Sequence, residues 1–221
     1  MVGHRSSEVR SFRLINDRKM EKGIKSRRKI LEVAFKLFTA YSYPDVSYSL
    51  LEEASGISRG SMVYYFNNKE GIFRAVLETF LFDMGSVRKV PVEAHNTLKG
   101  FYDTFLKQLD EDAHALRQFR IPNLCDARFT IERSALQFVP EFRQNQREKI
   151  KEDLQTWTDV INHAKETGEI RSDVDTEAMA NIFQNTFWGS IYLGIYGKAG
   201  TPGKIQELHT LFDDIYNLIK A

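Results

Sequence analysis

Ser47-Tyr-Ser-Leu-Leu-Glu-Glu-Ala-Ser-Gly56-Ile-Ser58-Arg59-Gly-Ser-Met-Val-Tyr64-Tyr65-Phe66-Asn-Asn-Lys69-Glu70 reads as two short helices around a glycine turn, with a third helix directly behind them. Ser47 is the expected N-cap of the first, which runs from Tyr48 to Ser55 with Leu50, Leu51 and Ala54 on its apolar side. Gly56 supplies the turn, because glycine takes a positive φ at little cost. Ser58 caps the second helix, Arg59 to Phe66, its hydroxyl accepting one of the unpaired N–H groups of the first turn. That helix exposes Arg59, Ser61, Tyr64 and Tyr65, with Phe66 turned inward. Two helices held at a fixed angle, the second short and polar at its N-terminal end, make a helix-turn-helix that can bring side chains to base edges.

The stretch resembles the TetR family of transcription regulators. That family shows a hydroxyl cap, an Ile-Ala pair, Ala-Gly-Val-Ser, Lys/Arg-Gly-Thr-Leu-Tyr, Tyr-Phe and Ser/Asn-Lys-Glu. Here the corresponding residues are Ser47, Leu51-Glu52, Ser55-Gly56-Ile57-Ser58, Arg59-Gly60-Ser61-Met62-Val63, Tyr64-Tyr65-Phe66 and Asn68-Lys69-Glu70, in order and without gaps. Two positions depart. Val63 stands where the family has a phosphate-contacting tyrosine, a role open to Tyr64 or Tyr65 instead. Glu52 stands where a small alanine faces the neighbouring helix. The resemblance implies an all-α chain: an N-terminal three-helix helix-turn-helix DNA-binding domain, then a larger helical ligand-binding and dimerisation domain.

Working outward, 221 residues suffice for a small DNA-binding domain and one larger core. The apolar runs are too short to cross a bilayer, and the polar N-terminus is unlike a secretory signal, so no membrane partner is expected. One cysteine, Cys125, leaves no intrachain disulfide and fits the reducing cytoplasm. The net charge of +1 conceals an asymmetry: residues 1–70 carry 13 Lys/Arg and 8 Asp/Glu, the remainder 18 and 22. A basic module on an acidic body suits a protein that lays one end on phosphates. Residues 1–21 are expected to be a basic extension, disordered or a loosely attached helix. Met20 is a natural start for the family, so residues 1–19 are an overlong start, a remnant, or a real arm whose Arg5, Arg10, Arg13, Arg18 and Lys19 follow DNA. The DNA-binding domain is placed at 22–70 and the body at 71–221.

The chain reads as helix throughout. Ser26 caps a first helix to about Tyr41, with Ile30, Ala34, Leu37, Phe38 and Tyr41 on one face. Asn67 and Glu70 start a fourth helix, through Phe73, Leu77, Phe80 and Met84, which in the TetR family connects the two domains. A fifth carries Leu98 to Leu109. A seam of Ile150, Leu154, Trp157, Ile161 and Ala164 ends at Gly168. Asp173 or Asp175 starts the next helix, through Met179, Phe183, Phe187, Ile191 and Gly194. After the Gly197–Gly203 loop, Thr201 and Pro202 open the last, with Ile205, Leu208, Phe212, Ile215 and Ile219.

Site expectations follow. Lys25, Arg27 and Arg28, with Lys29, either contact phosphate or form a solubilising face. Arg59 reads a guanine edge, or pairs with phosphate, Glu52 or Glu53. Ser47, Tyr48, Ser58, Gly60, Ser61, Tyr64, Tyr65 and Lys69 complete the DNA-facing set. In the TetR family the body encloses an effector cavity. Phe101, Phe105, Phe119, Phe129, Trp157, Phe183, Phe187 and Trp188 are its candidate wall, suited to a small hydrophobic or aromatic effector. Ile191, Phe212, Ile215 and Ile219, with Phe183 and Phe187, are expected at a homodimer interface, the family's four-helix arrangement across a two-fold axis. His95, His114, His163 and His209 show no metal-ligand spacing, and no metal or cofactor is expected. Cys125 reads as a lone buried thiol. No catalytic constellation supports an enzyme built on the aromatic core. The expected function is a ligand-responsive repressor binding a palindromic operator in double-stranded DNA as a homodimer. The alternative is a relative with a decayed reading head, marked by Glu52 and Val63, that serves as a protein partner or ligand-sequestering module.

Overall fold

The computed structural model describes residues 4–81, 84–197 and 204–221, with the backbone alone for residues 4–20 and 204. The elements are α1 (His4–Ala40), α2 (Tyr48–Ser55), α3 (Arg59–Phe66), α4 (Lys69–Val76), α5 (Leu98–Leu116), α6 (Leu124–Phe138), α7 (Phe142–Glu166), α8 (Thr176–Gly194) and α9 (Lys204–Ile219). The described residues hold no strand, only an isolated bridge between Ile170 and Lys220. None of the described helices is long and apolar enough to cross a membrane.

The chain divides into two compact units, Met1–Thr79 and Phe80–Ala221. In the first, Ile30, Leu31, Ala34, Phe35 and Phe38 of α1 are buried with Leu51, Met62, Phe66, Ile72, Phe73 and Val76. Phe38 meets Phe73 edge-on at 4.7 Å. Such apolar burial is the main force fixing the angles between these helices. α4, assigned to the body by sequence, packs on α1 and α3 in this unit.

Several boundaries differ from the sequence expectation. Ser26 caps nothing: the backbone is helical from His4, and no proline interrupts the run. Side chains of the expected N-terminal arm lie outside the described residues. Tyr41 is exposed, and Leu31 and Phe35 take the buried face instead. On α2 the buried pair is Leu51 and Ser55, four residues apart, while Ala54 faces solvent. Asn67 closes α3 at φ 65°, and it is Asn68 whose side chain caps α4, accepting from Gly71 N–H at 2.7 Å. α4 does not run on to Met84: its last turn widens into a π-helical Leu77–Leu81.

The second unit is organised by a cluster of Leu98, Phe101, Tyr102, Phe105 and Leu106 of α5, Trp157, Val160, Ile161 and Ala164 of α7, Ala180, Phe183 and Phe187 of α8, and Leu208, Phe212 and Ile219 of α9. Ile150, placed in the α7 seam by spacing, is exposed. Asp175, not Asp173, caps α8. The cap expected from Thr201 and Pro202 lies outside the described residues.

Candidate nucleic-acid interface and effector core

Ser47 Oγ accepts from Leu50 N–H at 3.1 Å and fixes the start of α2. Gly56 ends α2 at φ 66°, returning its own N–H to Glu52 O. Ser58 Oγ then accepts from Ser61 N–H at 3.4 Å. Of the four donors that α3 leaves unpaired at its start, one is met by Ser58. Another, Arg59 N–H, is met by the Glu52 carboxylate. Glu52 is therefore absorbed as a second cap, in the place where the α3 macrodipole favours a negative charge. The sequence offers Glu52 as a partner for the Arg59 side chain, and only the turn geometry shows that it meets the backbone N–H instead.

The Arg59 guanidinium lies over the Tyr48 ring, 4.6 Å from its centroid. Both side chains are thus placed together on the α2–α3 surface. Tyr64 is 81% exposed, and Val63 beside it is also exposed. Tyr65 is half-buried, leaning toward α1 at Gly23. Its ring stands 5.1 Å from Tyr64. Lys69 is turned inward. Its ammonium donates to Tyr43 O at 3.0 Å and sits over the Tyr43 ring, and burial lowers its pKa against the opposing pull of Asp45. A DNA contact by Lys69 is limited to its remaining N–H groups. Arg27 sits over the Phe66 ring at 5.1 Å. Arg28 pairs with Glu32 at 2.8 Å. Lys25 and Lys29 are exposed. Phe66 is buried in the three-helix core, as expected.

In the second unit the candidate wall residues mostly fill one another's space. Trp157 stacks on Phe183 at 4.9 Å and 11°, and meets Phe101 edge-on at 4.9 Å. Phe105 meets Phe187 at 5.2 Å. Phe119 lies buried against Phe80 at 5.5 Å. Phe129, by contrast, is 46% exposed and forms no interior wall. Trp188 is partly buried, beneath the Arg128 guanidinium at 5.0 Å. The expected dimer residues divide as well. Phe212 and Ile219 are buried in the core of the second unit, whereas Ile191 and Ile215 are only partly covered. The large apolar side chains left outside on α8, in the turn after it and on α9 are Ile182, Tyr192, Leu193, Tyr196, Leu211 and Leu218. Sequence spacing marks an apolar seam but not which of its edges faces the chain's own core.

The fold also assembles a polar cluster that spacing could not reveal. His209 places Nε2 3.2 Å from Asp103 Oδ1 and Nδ1 3.1 Å from Asp213 Oδ2. These three groups stand within reach of one cation. The cation already there is Lys99, 2.9 Å from Asp103 and 3.1 Å from Asp213. Tyr102 donates to Asp213 at 2.6 Å. Burial, joined by the bond to Asp213, holds the Tyr102 phenol well above its ordinary pKa. Burial pushes the Asp213 carboxyl up, but the Tyr102 and Lys99 hydrogen bonds outweigh it and hold it below the usual range.

With this geometry in hand, the likeness to known proteins is specific. The profile of the family described as bacterial regulatory proteins, tetR family, matches residues 30–76. The chain is 25% identical over 172 residues to the HTH-type transcriptional repressor KstR2 of Rhodococcus jostii, covering 75% of this chain and 78% of that protein. It is 27% identical over 194 residues to the HTH-type transcriptional repressor Rv1474c of Mycobacterium tuberculosis, covering 88% and 92%. The solved structure of the ketosteroid transcriptional regulator KstR2 of Mycobacterium tuberculosis superposes with a TM-score of 0.61 at 20% identity, covering 88% of this chain and 95% of that one. Residues 30–76, which hold the capped α2–α3 pair, thus match the tetR family of bacterial regulatory proteins, and the longer chain is similar to helix-turn-helix transcriptional repressors.

Proposed function

We propose that the chain is a DNA-binding transcriptional repressor that docks α3 in the major groove of a palindromic operator as a homodimer, and that an effector held in the second unit controls it. The observation that carries this reading is the α3 surface: a doubly capped helix presenting Arg59 on Tyr48 and a largely exposed Tyr64, within the region that matches the family. The TetR-family repressors it resembles support the regulatory role. The exposed Leu211 and Leu218, on one face of α9 seven residues apart, together with Leu193 of α8 and Tyr196 just after it, offer the apolar strip a second copy needs. An effector entering the aromatic core must part rings already in contact, which couples its binding to helix movement.

Fluorescence anisotropy on a selected palindrome and on random DNA tests the reading. Arg59→Ala is expected to cost about 1–3 kcal/mol on the palindrome and less on random DNA. Equal losses on both remove Arg59 from base reading. A second reading, a head retired from DNA binding, is favoured by the exposed Val63. Absence of salt-dependent DNA binding by the wild-type dimer establishes that reading instead.

A further inference from the structure

The second unit buries several polar and charged side chains. Ser86, Arg128 and Ser134, Lys149 and Asp153, and Gln184 are all under a tenth exposed, drawn from the turn before α5 and from α6, α7 and α8. Asp153 is claimed by Ser86 at 2.7 Å and by Arg88 at 3.3 Å. The Arg128 guanidinium, 6% exposed, is only partly used. Nε donates to Glu132 at 2.8 Å and Nη1 to Met84 O at 2.9 Å. Nη2 is buried without a hydrogen-bond partner among the described residues. On α8, Gln184 Nε2 donates to Ile150 O at 3.3 Å while Oε1 is likewise buried and unpartnered. Gln184 precedes Trp188 by four residues, so both lie on one face of α8, and Arg128 sits over Trp188.

An unmet donor on a buried guanidinium is costly, and such a group is seldom kept without a use. Its fork geometry matches a carboxylate at two points. Its ion partner Glu132 is a quarter exposed at its side chain and can turn to water when another anion takes its place.

We propose that Arg128 and Trp188 form the anchoring end of the effector site, and that the effector is an apolar, ring-bearing carboxylate. The carboxylate pairs with Nη2 and displaces Glu132, the ring lies along Trp188, and Gln184 Oε1 accepts from any hydroxyl or N–H the molecule carries. This rests on the reading of the second unit as an effector domain.

Isothermal titration of the full chain tests it with phenylacetate, 3-phenylpropionate and cyclohexanecarboxylate, each beside its primary amide. At least one carboxylate is expected to bind, about ten- to a hundredfold more tightly than its amide. Arg128→Met should abolish that preference, and Glu132→Gln should tighten binding by removing the competing carboxylate. Equal affinity for acid and amide overturns the proposal, as does failure of all three acids to bind up to their solubility limits. Should Arg128→Met not fold, the wild-type comparison and Glu132→Gln still decide. DNA binding is measured separately. A chain that binds its operator but no carboxylate refutes this inference alone, and one that binds carboxylate but no DNA refutes the repressor reading alone.

Discussion

Replacing Glu169 with alanine removes both acceptors from the start of α5. Its carboxylate takes the N–H of Leu98 at 2.7 Å and that of Lys99 at 3.0 Å, while Thr97 Oγ1 takes Gly100 N–H at 3.0 Å. Three of the four orphan donors at that end are thus met, two of them by one residue some seventy positions away. A hydrogen bond to a charged group contributes about 1.5–3 kcal/mol net. Glu169 is half-buried, so water partly replaces it and the lower figure applies. Two such bonds give a loss of about 3 kcal/mol for Glu169→Ala, a little more once the favourable charge at the helix start is counted. Glu169→Gln keeps one acceptor oxygen and should lose about half as much. Urea denaturation followed by tryptophan fluorescence reads this directly, because both tryptophans, Trp157 and Trp188, belong to the same unit as the cap. A loss below about 1 kcal/mol for the alanine variant, or equal losses for alanine and glutamine, refutes the reasoning.

Gly56→Ala places a β-carbon at φ 66° and is expected to destabilise the first unit by about 1–2 kcal/mol, read as faster amide exchange in α2 and α3. Asp213→Asn should destabilise the second unit near neutrality. Because the folded pKa of Asp213 lies below its ordinary value, its contribution is complete above about pH 4 and lost as pH falls through the folded value. The gap between wild type and variant should therefore close toward pH 3, and a gap that stays constant with pH counts against the network. Leu211→Glu with Leu218→Glu should yield a folded monomer in sedimentation, whereas an unchanged dimer moves the contact off α9.

The reading head was legible because its signals are local. Ser47, Gly56 and Ser58 act on backbone groups within a few residues, so their roles follow from spacing. Ambiguity began where two similar neighbours competed. Asn67 and Asn68 both suit a helix junction, and only the backbone decides which takes positive φ and which caps. Ala54 and Ser55 are both small, and an eight-residue helix gives too few turns to phase its buried face. In the body, the α9 seam was legible but its direction was not, since apolar residues suit an internal core and a partner equally well. The Asp103–His209–Asp213 cluster, bridged by Lys99, and the half-used Arg128 were out of reach for a different reason. Their partners are brought together by packing of distant helices and leave no periodic trace.

Glu52 shows how a departure from a family pattern can be neutralised by its surroundings. A carboxylate on α2 looks hostile to a phosphate-binding surface. Here it is held by Arg59 N–H at the positive end of α3, so its charge is partly met within the unit itself. The Arg59 side chain is at the same time free of Glu52 and rests on Tyr48. A cation–ring contact at an exposed site contributes only about 0.5–1 kcal/mol. It narrows the conformations of a long side chain, yet is weak enough to exchange for a base or a phosphate. Glu52, one of several candidate partners for the Arg59 side chain, thus serves that residue's backbone instead, and the same turn that caps α3 leaves the Arg59 guanidinium resting on Tyr48.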